Sequence, residues 1–364
     1  MYRSLLRLLP AGIARSIVVL ASACLMLTSD ATAQTLARSK GVELYLASGH
    51  SRAVTSVAFS ADGKTLASGS GDNTVKLWRL TAEGAQEVAT LTGHKDRVTS
   101  VAFSADGKTL ASGSDDNTIK LWRLTADGAQ EIATLSGDKG PVLSVAFSAD
   151  SKTLASGGYD GTVKLWRLTA DGAQEVATLN GHKRSVSSVA FSADGKTLGS
   201  GSGDGTVKLW RLTAEGAQEV ATLSGHELSV TSVAFSTDGK TLASASVDNT
   251  VKFWRLTAEG AQEVAKLSGY KRSVSSVAFS ADGKTLASGG YDGTVKLWRL
   301  TAHGAQEIAT LSGHKAQVSS VAFSADGKTL ASGSWDWDST VKLWRLTAEE
   351  AKERYGSPPF QRSV

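Results

Sequence analysis

The chain has 364 residues, 41% of them hydrophobic and 20% charged, with a formal net charge of +4. A chain of this size has ample material for a core. Its weak positive charge, spread evenly along the sequence, argues against a nucleic-acid partner, and a single cysteine excludes any internal disulfide.

The first segment stands apart in composition. Met1–Ser16 carries Arg3, Arg7 and Arg15 and no acid, Ile17–Leu27 is an apolar run too short to span a bilayer, and Ala31-Thr32-Ala33 is a small-x-small site before Gln34. Positive region, short apolar run and cleavage site read as a secretory signal peptide over 1–33. An uncleaved anchor is the bland alternative. A lipoprotein would need Cys24 as its modified residue, but Leu25-Met26-Leu27 continues the apolar run past it. Three arginines, Asp30 and the cysteine leave with the leader, so the net charge falls to +2. The mature chain is expected to be periplasmic or secreted, without stable membrane insertion. Residues 34–41 read as a short linker.

From Val42 onward the sequence repeats. The tryptophan of a KLWRL-like segment recurs at Trp78, Trp122, Trp166, Trp210, Trp254, Trp298 and Trp344, with a period of 44 residues and a last spacing of 46. The copy Gly93–Ser136 shows the unit. Val98–Ser104 is β-branched and apolar and reads as a strand. Asp106-Gly107 makes a hairpin turn, because glycine takes positive φ without strain. Thr109–Ser114 is a second strand whose small residues leave room for a neighbouring sheet. Asp116-Asn117 turns again. Thr118–Leu124 and Gln130–Leu135 complete a four-stranded antiparallel meander. One such sheet exposes too much apolar surface alone, so seven copies predict a seven-bladed all-β propeller over 42–348.

The ends complement each other. Val42–Ala47 aligns with a fourth strand that has no first three before it, and Val341–Leu346 is a third strand with no fourth after it. The N-terminal strand is expected to complete the last blade and close the ring. Gln86-Glu87 and its copies place polar groups on the outer strands, which discourages edge pairing. Ser151 replaces a turn glycine and should carry positive φ. Near-identical blades also invite mispairing during folding. Thr347 could cap a helical turn that Pro358-Pro359 would stop, and 349–364 reads as a tail.

These units resemble the WD-repeat β-propeller family in the Gly-His pair, the LASGS-like strand, the Asp-Asn/Gly-Thr turn and the strand ending in Trp, over roughly Val42–Leu346. One departure is consistent: Arg79, Arg123 and their equivalents follow the tryptophan where the family has Asp. The resemblance implies a structural tetrad in five blades: His50, Ser68, Asp72 and Trp78; His94, Ser112, Asp116 and Trp122; His182, Ser200, Asp204 and Trp210; His226, Ser244, Asp248 and Trp254; His314, Ser332, Asp338 and Trp344. Ser70 is an alternative to Ser68. Asp138 and Tyr270 replace the histidine in the other two, where the tetrad is in doubt and Asp138 would face Asp160 as a like charge. His303 reads as solvated.

Ser-His-Asp sets invite a hydrolase reading, but five equivalent copies, each ending in Trp, look like a repeated brace rather than one activated nucleophile. No cluster has zinc or copper spacing, the Asp62-Gly63-Lys64 turns lack a calcium loop's alternating acids, and no phosphate-binding glycine loop exists. No catalytic residue, metal or cofactor is expected.

Differences between units fall in two loops. One follows Gly-His and carries Arg97 and Arg184. The other precedes the turn Asp and carries Asp115, Tyr159, Tyr291 and Trp337, beside Trp335 in the two-residue insertion. In a meander both loops emerge at one end of the ring. Tyr159, Tyr291, Trp335 and Trp337 would form an aromatic rim there, and Trp and Tyr are favoured in binding hot spots. The family resemblance, in which the variable end is a common partner-binding face, together with this rim implies a monomeric, non-catalytic scaffold that binds a protein or peptide there. A carbohydrate or cell-wall module stacking sugars on the same aromatics is the alternative. An enzyme or a ring-forming structural protein has less support.

Overall fold

In the second unit the strands run Val98–Phe103, Thr109–Ser114, Thr118–Thr125 and Gly128–Ser136, each within a residue or two of its sequence-based bounds. The computed structural model describes residues 35–39, 42–82, 84–125, 128–137, 139–169, 172–213, 216–257, 260–301, 304–335 and 338–346, with backbone only up to 48. The expectations for 1–33 and 349–364, and those for Asp138, His303 and Trp337, lie outside the described residues. The hairpin turns form as their chemistry dictates. In the first, Gly63 sits at φ 67. The Asp62 carboxylate accepts the Ser60 hydroxyl at 2.6 Å and the Lys64 N–H at 3.0 Å, bonds that hold its carboxyl below the usual range. Ser151 adopts φ 59 in the place of that glycine. Its hydroxyl accepts the Asp106 N–H of the preceding blade at 3.0 Å, a contact glycine cannot make.

Blades 1 to 7 are counted from Val54, Val98, Val142, Val186, Val230, Val274 and Val318, the first residues of their first strands. Among the described residues, six sheets have four strands and the last has five. Val42–Ser48 pairs antiparallel with Thr340–Leu346, in unbroken register from Val42 opposite Leu346 to Ser48 opposite Thr340. The chain is thus a seven-bladed β-propeller closed by its N-terminal strand. Thr35–Ser39, expected within a linker, instead forms the fifth strand and pairs with Val42–Ser48. That pairing covers an edge that would otherwise present unpaired backbone groups.

The core is divided into layers between adjacent blades. Between blades 1 and 2, for example, Ala67, Val75 and Leu77 pack against Val98, Val101, Leu110 and Trp122. The second-strand glycines set the approach. A Cβ on Gly69 would lie 2.7 Å from Val98 Cγ1, and one on Gly201 would lie 2.6 Å from Val230 Cγ1. First strands are stitched around the ring by serine hydroxyls. Ser56 accepts the Val101 N–H at 3.1 Å, and the pattern continues through Ser100, Ser144, Ser188, Ser232 and Ser276 to Ser320, which accepts the Val57 N–H at 3.2 Å. Seven bonds therefore close the circle at the innermost strands, a regularity the strand pattern alone did not reveal.

Candidate functional site

The tetrads form in all five blades that have the histidine. In blade 1, Nδ1 of His50 lies 2.9 Å from Asp72 and Nε2 lies 2.8 Å from the Ser68 hydroxyl, which also accepts the Trp78 indole N–H at 2.8 Å. Ser68, not Ser70, is the hub, while Ser70 bonds the Arg52 carbonyl and the Asp72 N–H. The same bonds join His94, Ser112, Asp116 and Trp122; His182, Ser200, Asp204 and Trp210; His226, Ser244, Asp248 and Trp254; and His314, Ser332, Asp338 and Trp344. One direction of donation satisfies every group: Trp N–H to Ser, Ser O–H to Nε2, and Nδ1–H to Asp.

Burial pushes His94, His182, His226 and His314 below the ordinary imidazole value, so they are neutral at pH 7. Burial would raise the partner carboxylates, but hydrogen bonds from His, Thr and backbone N–H outweigh it, and Asp204 falls to about 2. The five serines are 0% exposed. A carbonyl substrate cannot reach them without the blade opening, so the triad-like geometry acts as a brace.

Blades 3 and 6 depart differently. In blade 3 Trp166 still donates to Ser156 at 3.0 Å, and Asp160 accepts from Thr162. In blade 6 the Tyr270 hydroxyl takes the histidine's place on Ser288 at 2.5 Å, and Trp298 donates to the same oxygen. Burial pushes the Tyr270 phenol well up. Asp292 is left bonded to Thr294.

A second repeated cluster was missed in the sequence. Lys76, two residues before Trp78 and on the same face, is buried and pairs with Glu87 at 2.6 Å and with Thr90 at 2.8 Å. Equivalent lysine–glutamate pairs occur in blades 2 to 6. Gln86-Glu87 and its copies are therefore more than polar edge groups, since the glutamate neutralises an inward lysine. The period-2 spacing of Lys and Trp was the available signal. In the closing blade the register sets Leu46 opposite Lys342, and burial lowers that lysine's pKa.

The variable loops do meet at one end. The backbone N–H of Gly71, Asp115, Tyr159, Gly203, Val247, Tyr291 and Trp335 each bonds a carbonyl in the loop after the Gly-His position, from Ala53 to Gln317. Trp335 therefore holds the position assigned to Trp337 by counting back from the turn Asp. The two extra residues come after Trp335, because its N–H makes the Gln317 bond that fixes the register. Arg97 pairs with Asp115 at 2.8 Å and lies over the Trp335 ring, 5.5 Å from its centre. These three expected binding residues engage one another, linking blade 7 to blade 2. Tyr291 is half-buried, whereas Tyr159 is 65% exposed and Arg184 is exposed. Tyr159, Arg184, Ser185, Gly203 and Ser229 line a hollow of about 380 Å³. Leu228, next to Ser229, is 52% exposed.

A family model described as "WD domain, G-beta repeat" matches residues 41–79, 85–123, 129–167, 173–211, 217–255, 261–299 and 305–345. Each match begins in the outer strand of one blade and ends in the tryptophan strand of the next, so the first match supplies the closing strand. A Notchless protein homolog of Arabidopsis thaliana is 66% identical over 35 residues, 10% of this chain and 7% of that protein. That likeness is shorter than one repeat.

Proposed function

We propose that this chain, which belongs to the WD-repeat family, is an exported, monomeric, non-catalytic scaffold that binds a protein or peptide on the variable end of its ring. Propellers of this family typically serve as protein-interaction scaffolds. The observation that carries the choice of face is the exposure of Tyr159, which lines the hollow, and of Leu228, next to the lining residue Ser229. Large apolar side chains held in the open beside a concavity are a binding signature. The opposite end repeats Asp-Gly-Lys with a single change, at Ser151. Export rests on the pattern of residues 1–33 alone, and recovery outside the cytoplasm of a chain beginning at Gln34 would support it.

Crosslinked affinity capture tests the face. The full chain should capture a protein that a Tyr159→Ala/Leu228→Ala variant loses and a Lys108→Ala/Lys196→Ala variant at the opposite end keeps. Equal capture by the first two would move the site. Glycan binding lost with Tyr159→Ala, with no protein captured, would replace the reading by a carbohydrate-binding one.

A further inference from the structure

The arrangement around the hollow occurs twice on the ring, three blades apart. Trp335, Arg52, Gly71 and Arg97 occupy, in blades 7, 1 and 2, the repeat positions that Tyr159, Arg184, Gly203 and Ser229 occupy in blades 3, 4 and 5. The first set is self-contained, because an aromatic ring, a guanidinium and the Asp115 carboxylate meet in one trio. The second set keeps the ring, but Ser229 stands in the place of Arg97 and Val247 in the place of Asp115, and its guanidinium is that of Arg184, the counterpart of Arg52. Arg184 has no ion-pair partner among the described residues. Ser229 donates to the Gly203 carbonyl, and Asp160 is bonded to Thr162. Lys139 and Lys183 are exposed on the flanking loops, with Glu227 as an exposed acid beside them. Gly203 keeps the floor open, since a Cβ there would come 3.3 Å from Ser185 Oγ and 3.4 Å from Arg184 Cβ.

We infer that this hollow takes the carboxylate of an Asp or Glu side chain on an extended peptide segment, paired with Arg184 and flanked by apolar contact with Tyr159 and Leu228. The inference rests on the proposed binding face and names what binds there. The hollow thus lacks both the guanidinium and the carboxylate of the trio, and presents instead Arg184, unpaired among the described residues, between the exposed Lys139 and Lys183; a guanidinium so placed recognises a carboxylate by charge-assisted hydrogen bonds. About 380 Å³ holds one such side chain with part of its backbone.

An array of synthetic peptides with a central Glu, Gln or Lys between leucine and phenylalanine, probed with the full chain, tests it. Glu peptides should be retained and Gln and Lys peptides lost. In fluorescence anisotropy Arg184→Ala should weaken the retained peptide by about tenfold or more, Arg184→Lys less, and Lys152→Ala at the other end not at all. Equal binding of Gln and Glu peptides, undiminished binding by Arg184→Ala, or retention of no Glu peptide would each overturn the inference. Protein capture that is lost with Tyr159→Ala/Leu228→Ala would leave the binding face standing in any of those cases.

Discussion

Blades 2 and 6 are built on nearly the same sequence, yet they brace themselves differently. In blade 2 the Ser112 hydroxyl sits between Trp122 and His94, and the chain of bonds runs on to Asp116 at the rim. In blade 6 it stops at Tyr270, and Asp292 is released to its own turn. The shared element is the Trp–Ser bond, buried in every blade. The outer half is replaceable. The layer between blades 5 and 6 is also repacked, with Ala245 for glycine, Phe253 for leucine, and Phe253 edge-on to Phe279 at 6.4 Å. The difference teaches that the serine hub is required, while the histidine–aspartate arm is one of two ways to finish it.

The hub can be broken directly. Ser112→Ala strands two buried partners and should cost about 3 kcal/mol in denaturant unfolding, whereas Ser156→Ala, whose Trp166 is its hub partner among the described residues, should cost about 1 kcal/mol. Equal costs would remove the distinction. The layer comparison comes next. Gly201→Ala forces a Cβ against Val230 and should destabilise by about 2 kcal/mol. The reverse exchange, Ala245→Gly, falls where the packing already accommodates a methyl and should cost about 1 kcal/mol.

The smallest effect sharpens the arm itself. Because the folded-state pKa of His94, His182, His226 and His314 lies below 6.5, the native ring binds fewer protons than the unfolded chain just below that value. Their contribution is intact above pH 6.5 and is lost as pH falls through the folded pKa. The depressed tetrad carboxylates extend the loss below their ordinary 3.8, down to about 2 for Asp204. His94→Tyr, which copies blade 6, should change stability at pH 7 by about 1 kcal/mol and flatten the pH dependence just below 6.5. An unchanged slope would mean the histidines do not carry it.

Much of this was legible because a repeat is a local rule applied many times. Asp-Gly turns, alternating strands and the 44-residue period specify each blade from neighbouring residues, and the complementary ends specify closure. The five tetrads were legible too, through the resemblance of the units to the WD-repeat family. What escaped lies between strands rather than along them. The lysine–glutamate pairs depend on how the fourth strand is registered against the third. The serine circle depends on the first strands meeting at the centre of the ring.

The sequence by itself determined the number of blades, their strand order, the closing strand and the end on which variation collects. Only the tertiary structure decided that Trp335 rather than Trp337 holds the loop position, that Arg97 and Asp115 are engaged with it, and that Arg184 and Tyr159 stand open. The physical reason is distance along the chain. Residues 97 and 335 are brought together by ring curvature, which no local pattern encodes, so the use of each loop side chain is settled only when the circle closes.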